Sequence, residues 1–432
     1  MKTPCLKARL FSIALLASAN VYANDSSQSR SQAEENLYLN HFLPLSTEVM
    51  NGDGNSLKTY SELRAIYERL SGMERRQAAQ LLSMADTLYG RYRDASTHYD
   101  EAFPAKKPSH CPADHSRPIE AHAALKSLAG DADFLLINES HSKIETRAFF
   151  YEILPILRAA GYRYLAMEAI YTAKNSYGDE GGWGGKPYDE GLSARGFPLD
   201  NGRGGVYLRE PIASDIVRRA FELGFELVAY DPYDANSKEE RESGQALILA
   251  ALSNNHPEEK IVVLAGYSHV WKTDGWMAER LRAQTTKRVI SVDQVSGLGG
   301  CLVEQKKFSP PVAIGGAYAF VDSSMNPLSS NPDRTDATVF QRSRNGRGMH
   351  SDWLTLGGLR KPIDVGIELC RERLPCLISA HYIKEPATAV PADRAVIFNA
   401  NEPPVLFLRK GNYRVRFTTI SGISVEIPVH VD

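Results

Sequence analysis

Between Ala132 and Val295 the chain repeats one unit, a short run of apolar, β-prone residues followed by a stretch with amphipathic helical spacing. The runs are Asp133–Asn138, Tyr162–Ala169, Phe225–Asp231, Lys260–Gly266 and Lys287–Asp293. Each run is apolar on both faces and a helix separates it from the next, so the strands are expected to be parallel and covered on both sides. The expected fold class is α/β, a mostly parallel sheet with helices on both faces. Ligands of such sheets bind beyond the carboxyl ends of the strands.

The flanking regions read differently. Lys2, Lys7 and Arg9 precede an apolar stretch from Leu10 to Ala17, closed by Val21-Tyr22-Ala23. That is the layout of a signal peptide, cleaved after Ala23, and it places the protein in the bacterial periplasm or outside the cell. Cys5 lies before the apolar core, so no lipid anchor is expected. No later stretch is long enough and apolar enough to span a membrane. Residues 24–118 are read as a polar leader, a helical N-terminal part and a proline-rich linker, with Leu63, Ile66, Tyr67 and Leu70 at helical spacing. The α/β domain is assigned to 119–309 and a β-rich C-terminal domain to 310–432. In the latter, Tyr413, Val415 and Phe417 alternate with Arg414 and Arg416, as in a half-buried antiparallel strand.

After cleavage four cysteines remain, Cys111, Cys301, Cys370 and Cys376. In an oxidising compartment they are expected to pair. Sequence permits three connectivities; a local Cys370–Cys376 loop would leave Cys111 to Cys301. The net charge of −2 gives no electrostatic reason to propose a nucleic acid as partner. The expected partner is a small-molecule or peptide substrate.

Ionisable side chains follow successive strands: Glu139 and His141 after the first, Glu168 at the end of the second, Asp231 after the third and His269 after the fourth. Their equivalent positions put them at one edge of the sheet. An imidazole there can take a proton from water or an alcohol while a carboxylate sets its tautomer. His141 is read as the general base, Glu139 or Glu168 as its orienting partner, and His269 as a second acid/base or oxyanion-stabilising group. Glu145 and Arg147, on the turn beyond His141, are expected to line the same pocket. Ser268 adjoins His269, but no GxSxG elbow surrounds it.

These segments resemble the erythromycin esterase-like proteins and their relatives, the haem-binding ChaN and the Tiki-type proteases. The local match is to their strand followed by GExxH or GExH, here "LLINESHSKIETRAFF", with Asn138 where those proteins usually have Gly. "YRYLAMEA" and "VVLAGYSHV" resemble their acidic strand end and late histidine strand, and Arg241 stands where their Arg-bearing helix would place it. The resemblance spans roughly residues 130–295. It implies that His141 and His269 face one another with Glu139 and Glu168 beside them, and that the reaction is hydrolysis of an ester, lactone or amide.

Two alternatives come with the resemblance. The same two histidines and two glutamates could hold a divalent metal, with Mn, Zn and Co all acceptable to such ligands, as in a Tiki-type peptidase. In a ChaN-like binding protein, Tyr267, His269 and His141 would ligate haem or iron. Between the second and third strands a long glycine-rich stretch carries Trp183 and Tyr188, read as a loop over the strand ends that contacts substrate. Tyr267, Asp231 and Arg241 complete the expected substrate-binding set.

Overall fold

The structure is a computed structural model. It describes residues 32–52, 56–104, 110–112, 116–172, 186–202, 204–232, 235–303, 306–311, 316–341, 352–370 and 373–432. The expected signal peptide, residues 25–31 of the expected leader and Trp183 lie outside these residues, while residues 32–36 of that leader are helical.

The N-terminal part is helical, with α1 (Gln32–Leu37), α2 (Leu43–Asn51), α3 (Ser56–Tyr67), α4 (Gly72–Leu88) and α5 (Tyr92–Ala102). Their apolar stripes close on a core that includes Phe42, Tyr60, Leu63 and Leu82. A polar cluster sits inside it. Buried Asp86 accepts from Tyr60 Oη at 2.5 Å and Arg64 Nη1 at 2.9 Å, and meets His98 Nδ1 at 2.6 Å.

The α/β region runs β1 (Arg117–Glu120), α6 (Ala121–Asp131), β2 (Phe134–Glu139), α7 (Glu145–Ala159), β3 (Tyr162–Tyr171), α8 (Leu192–Arg195), α9 (Pro211–Leu223), β4 (Glu226–Asp231), α10 (Lys238–Asn255), β5 (Lys260–Gly266), α11 (Met277–Gln284) and β6 (Val289–Asp293). A two-residue pair, β7 (Leu302–Val303) and β8 (Lys306–Lys307), is followed by β9 (Tyr318–Val321) and β10 (Ala337–Phe340). The main sheet has the order β1-β9-β10-β6-β2-β5-β3-β4, parallel from β10 to β4. Strands β1 and β9 add an antiparallel edge.

All five expected strands are present, and their burial explains why they lack polar alternation. Leu135 and Ile137 of β2 pack with α6, α7 and α9, whereas Phe134 and Leu136 pack with α10 and α11. Both faces are thus covered by helices, as a parallel sheet requires.

The C-terminal region forms β11 (Arg360–Asp364), β12 (Cys376–Tyr382), β13 (Asp393–Ile397), β14 (Val405–Arg409), β15 (Gly411–Thr419) and β16 (Ser424–Val431). An antiparallel sheet β13-β12-β15-β16 stands beside the β11–β14 pair. Tyr413, Val415 and Phe417 face its core, as their alternation predicts. The expected boundary between 309 and 310 does not divide the main sheet, however. Strands β9 and β10 lie beyond it and yet extend the sheet from β6, and β1, whose first two residues read as linker, forms its edge. Short strands without a following helix read locally like an antiparallel unit; the pairing that recruits them is non-local.

Both disulfides form, Cys111–Cys301 and Cys370–Cys376. Among the described residues no helix is long and apolar enough to cross a membrane.

Candidate active site

Strands β2, β3, β4 and β5 end at one level and deliver the site. Glu139 is the last residue of β2, and His141 follows in the turn before α7. Glu168 lies in β3 where its pairing with β4 becomes irregular between Met167 and Tyr171, a feature that re-aims a side chain at a strand end. His269 lies in a 3-10 turn, Tyr267–Val270, directly after β5.

His141 Nδ1 meets Glu139 Oε1 at 2.6 Å. Arg147 grips the same carboxylate from behind, with Nε donating to Oε2 at 3.0 Å and Nη2 to Oε1 at 3.2 Å. Burial opposes the charge of Glu139, but Arg147 and then His141 hold its carboxyl below the usual range. Arg147 is itself braced by Glu210, the residue that caps the start of α9. Arg147 is buried and supports Glu139. The helical spacing placed it near the site without revealing which side of Glu139 it occupies.

Glu168 links the two histidines. Its Oε1 accepts from Arg241 Nη2 at 2.7 Å and lies 3.5 Å from His269 Nε2. Its Oε2 accepts from the Gly266 backbone N–H. A Cβ at Gly266 would lie 2.6 Å from His141 Cε1 and 2.9 Å from both His141 Nε2 and Glu168 Oε2. The imidazole edge and the carboxylate therefore converge on a spot that only glycine leaves open. Burial opposes the charge of Glu168, yet His269, Arg241 and His141 hold it well below the usual carboxylate range.

His269 has carboxylates on both ring nitrogens, with Glu242 Oε2 2.9 Å from Nδ1. Burial alone would push the imidazole down, but Glu242 and Glu168 outweigh it and raise it to about 10. His269 is thus a cation at neutral pH. Arg241 is aimed by Asp231, which accepts from its Nε at 2.8 Å and Nη2 at 2.7 Å, while Gln245 donates to the same Asp231 at 2.7 Å. Asp231 thus orients Arg241.

Two tyrosines wall the histidine. The Tyr207 ring stacks on His141 with centroids 4.0 Å apart and planes 18° apart. Tyr267 approaches the same imidazole edge-on at 4.8 Å, and its hydroxyl accepts from the His141 backbone N–H at 3.2 Å. Tyr267 holds φ at 42°, an uncommon conformation for a residue with a bulky side chain. Asn138 clamps this turn: its Nδ2 donates to the Tyr267 carbonyl and to Asp293 Oδ1, each at 2.8 Å, while its Oδ1 accepts from the Gln294 N–H at 2.7 Å. The left-handed backbone in the site thus falls on Tyr267 and not on Asn138.

Glu145, the first residue of α7, is half-buried, and burial raises its carboxyl. Tyr188 is exposed, and its N–H donates to the Tyr171 carbonyl at 2.7 Å. The residues missed from sequence are Glu242 and Tyr207. Glu242 follows Arg241 in the run "KEERE", which reads as a solvated helix start. Tyr207 lies at the end of the glycine-rich stretch, where nothing periodic marks it.

Among the described residues no three His, Cys, Asp or Glu side chains are arranged to hold a metal ion. The four expected ligands do not fit a divalent cation, because the guanidiniums of Arg147 and Arg241 already occupy the faces of Glu139 and Glu168. Nor does His269 fit as a haem ligand, since both its ring nitrogens face carboxylates.

No family model matches the chain, and no curated protein matches it. Among solved structures it is similar to RRSP, a MARTX toxin effector domain from Vibrio vulnificus, at 14% identity and a TM-score of 0.29, covering 67% of this chain and 69% of that one. It is also similar, at 11% identity and a TM-score of 0.29, to the C-terminal region of Pasteurella multocida toxin, whose structures are described as revealing a thiol-protease-like catalytic triad; the match covers 96% of this chain and 62% of that one.

Proposed function

We propose that this chain is an exported hydrolase of the erythromycin esterase-like type, with His141 activating water against an ester, lactone or amide carbonyl. The observation that carries this reading is the His141 imidazole, bound at Nδ1 to Glu139 and directed at Glu168 across Gly266. Glu139 selects the tautomer with Nδ1 protonated, leaving Nε2 to accept a proton.

In the proposed reaction His141 Nε2 takes a proton from a water molecule as its oxygen attacks the carbonyl carbon. The electron pair displaced from the C=O bond becomes an oxyanion beside the positive charges of His269 and Arg241. Collapse re-forms the carbonyl and breaks the bond to the leaving oxygen or nitrogen, which takes the proton back from His141. Glu168 positions the water and holds Arg241 and His269 in place. The two disulfides fit synthesis for an oxidising compartment.

The test is hydrolysis of a panel of aryl esters, lactones and peptides by the purified protein and by His141→Asn and His269→Gln. Loss of roughly 100- to 10,000-fold in His141→Asn is expected, the usual contribution of a general base. Equal turnover by wild type and His141→Asn on every substrate the protein cleaves would overturn the reading.

A further inference from the structure

The C-terminal sheet carries a second polar constellation, unrelated to the site at the strand ends. On one face of that sheet Ser379 of β12 lies between Arg394 of β13 and Arg416 of β15, and His381 lies opposite Arg414 of β15. Residues directly opposite one another share a face. All five are polar groups at least partly taken out of water: Ser379, His381 and Arg394 are buried, and Arg414 and Arg416 are half-buried.

The counter-charges do not balance. Asp200 accepts from Arg394 Nη1 and from Arg209 Nε, each at 2.8 Å. Glu426 accepts from Arg416 Nε at 2.7 Å. Arg414 donates to a backbone carbonyl, that of Glu385, at 2.6 Å, and has no carboxylate partner among the described residues. Arg209, Arg394, Arg414 and Arg416 are therefore set against Asp200 and Glu426. A buried cation without its own counter-charge costs several kcal/mol.

The donors left over point the same way. Arg394 Nε, Arg414 Nε and His381 Nδ1 have no hydrogen-bond partner among the described residues. His381 and Arg394 are 6% and 4% exposed, so water does not freely replace those partners. His381 Nε2 lies 3.1 Å from Ser379 Oγ, a contact in which either group can donate, according to the imidazole tautomer. Burial, and after it Arg416, Arg394 and Arg414, push this imidazole down to about 4. It is neutral at pH 7, and the unused guanidinium nitrogens on this face, Arg394 Nε and Arg414 Nε, are donors.

We propose that the Arg394, His381, Arg414 and Arg416 face binds a small oxyanion, the phosphate of inorganic phosphate or of a phosphate monoester. Arg414 and Arg416, two residues apart on β15 and partly exposed, form the open side; Arg416 gives Nε and Nη2 to Glu426, so an oxyanion there would be met by its Nη1 and by the free nitrogens of Arg414. The site is independent of the proposed hydrolysis, since none of its residues touches the His141 cluster among the contacts above.

The experiment is calorimetric titration of the mature protein with inorganic phosphate and with glycerol phosphate at constant ionic strength, with chloride as the blank. Saturable one-to-one binding is expected, weakened at least tenfold in Arg414→Gln and in Arg416→Gln. A side-chain nitrogen NMR signal of His381 that shifts with the same saturation reads the site in the wild type, whether or not a variant folds. Monoester binding at least tenfold tighter than phosphate assigns an organic phosphate; equal binding assigns the free ion. Absence of saturable heat for both ligands, or a His381 signal that ignores them, refutes the proposal.

Discussion

His269 Nδ1 lies 2.9 Å from Glu242 Oε2, and that carboxylate also accepts from the Met277 backbone N–H at 2.8 Å, so one buried glutamate ties the second histidine to the start of α11. Because the folded protein raises His269 from 6.5 to about 10, it binds a proton there that the unfolded chain releases over that interval. The stabilisation is fully present below pH 6.5 and is lost as pH rises toward 10. Thermal melts from pH 6 to 10 are expected to show falling stability, with a shallower slope in Glu242→Gln. An unchanged slope in that variant would show that Glu242 does not hold the proton.

The closeness of His141 and Glu168 depends on Gly266. A methyl group there would meet His141 Cε1 at 2.6 Å and Glu168 Oε2 at 2.9 Å, distances that real Cβ contacts do not reach. Gly266→Ala is expected to push the two side chains apart, costing roughly 1–3 kcal/mol by overpacking. Because misplacing a reacting group by about 1 Å can cost about 100-fold, hydrolysis should fall at least that far while the protein stays folded. Denaturation midpoint and kcat measured on the same sample separate the two effects.

Tyr207 covers one face of the His141 ring and thereby limits its rotation about the Glu139 bond. Tyr207→Phe keeps the stack and is expected to stay within about threefold of wild-type kcat, whereas Tyr207→Ala removes a contact worth roughly 0.5–1.5 kcal/mol and should lower kcat about tenfold. If both variants lose activity equally, the hydroxyl and not the ring is the working part.

How much of this was legible in the sequence depended on locality. The five strands of the parallel region announced themselves because burial on both faces removes polar alternation from each of them. Glu139, His141, Glu168, Asp231 and His269 were visible because parallel strands deliver their following residues to one edge. The roles of Arg147 and Asp231 were not, since which side of a neighbour a buried charge occupies is settled by packing. Glu242 hid among helix-start charges, and Tyr207 within a stretch whose glycines suggested only a loop. Strands β9 and β10 read as part of the C-terminal unit because the strands that hold them in the main sheet, β1 for β9 and β6 for β10, lie farther away in sequence.

The two disulfides should differ in worth. Cys111 and Cys301 are 190 residues apart, Cys370 and Cys376 only 6. If the bridges act by restricting the unfolded chain, the first contributes roughly 5 kcal/mol and the second roughly 2 kcal/mol. Cys111→Ser with Cys301→Ser is expected to lower the denaturation midpoint more than Cys370→Ser with Cys376→Ser. The reverse order would mean that the long loop is already constrained when unfolded.

The Asn138 side chain joins three strand ends: it donates to Tyr267 after β5 and to Asp293 of β6, and accepts from Gln294 and Val295 beyond β6. Asn138→Gly removes all of these while leaving the backbone free to keep its path. Each buried group stranded without a partner costs roughly 1–3 kcal/mol, so a substantial loss of stability is expected. Asn138→Asp should be worse, because it replaces two donors by a second carboxylate oxygen facing Asp293. If Tyr267 keeps φ at 42° only because Asn138 grips its carbonyl, both variants also release the hydroxyl from the His141 N–H. Their kcat would then fall further than that of a distant variant of equal stability. Matched kcat at matched stability would instead assign Asn138 to the fold alone.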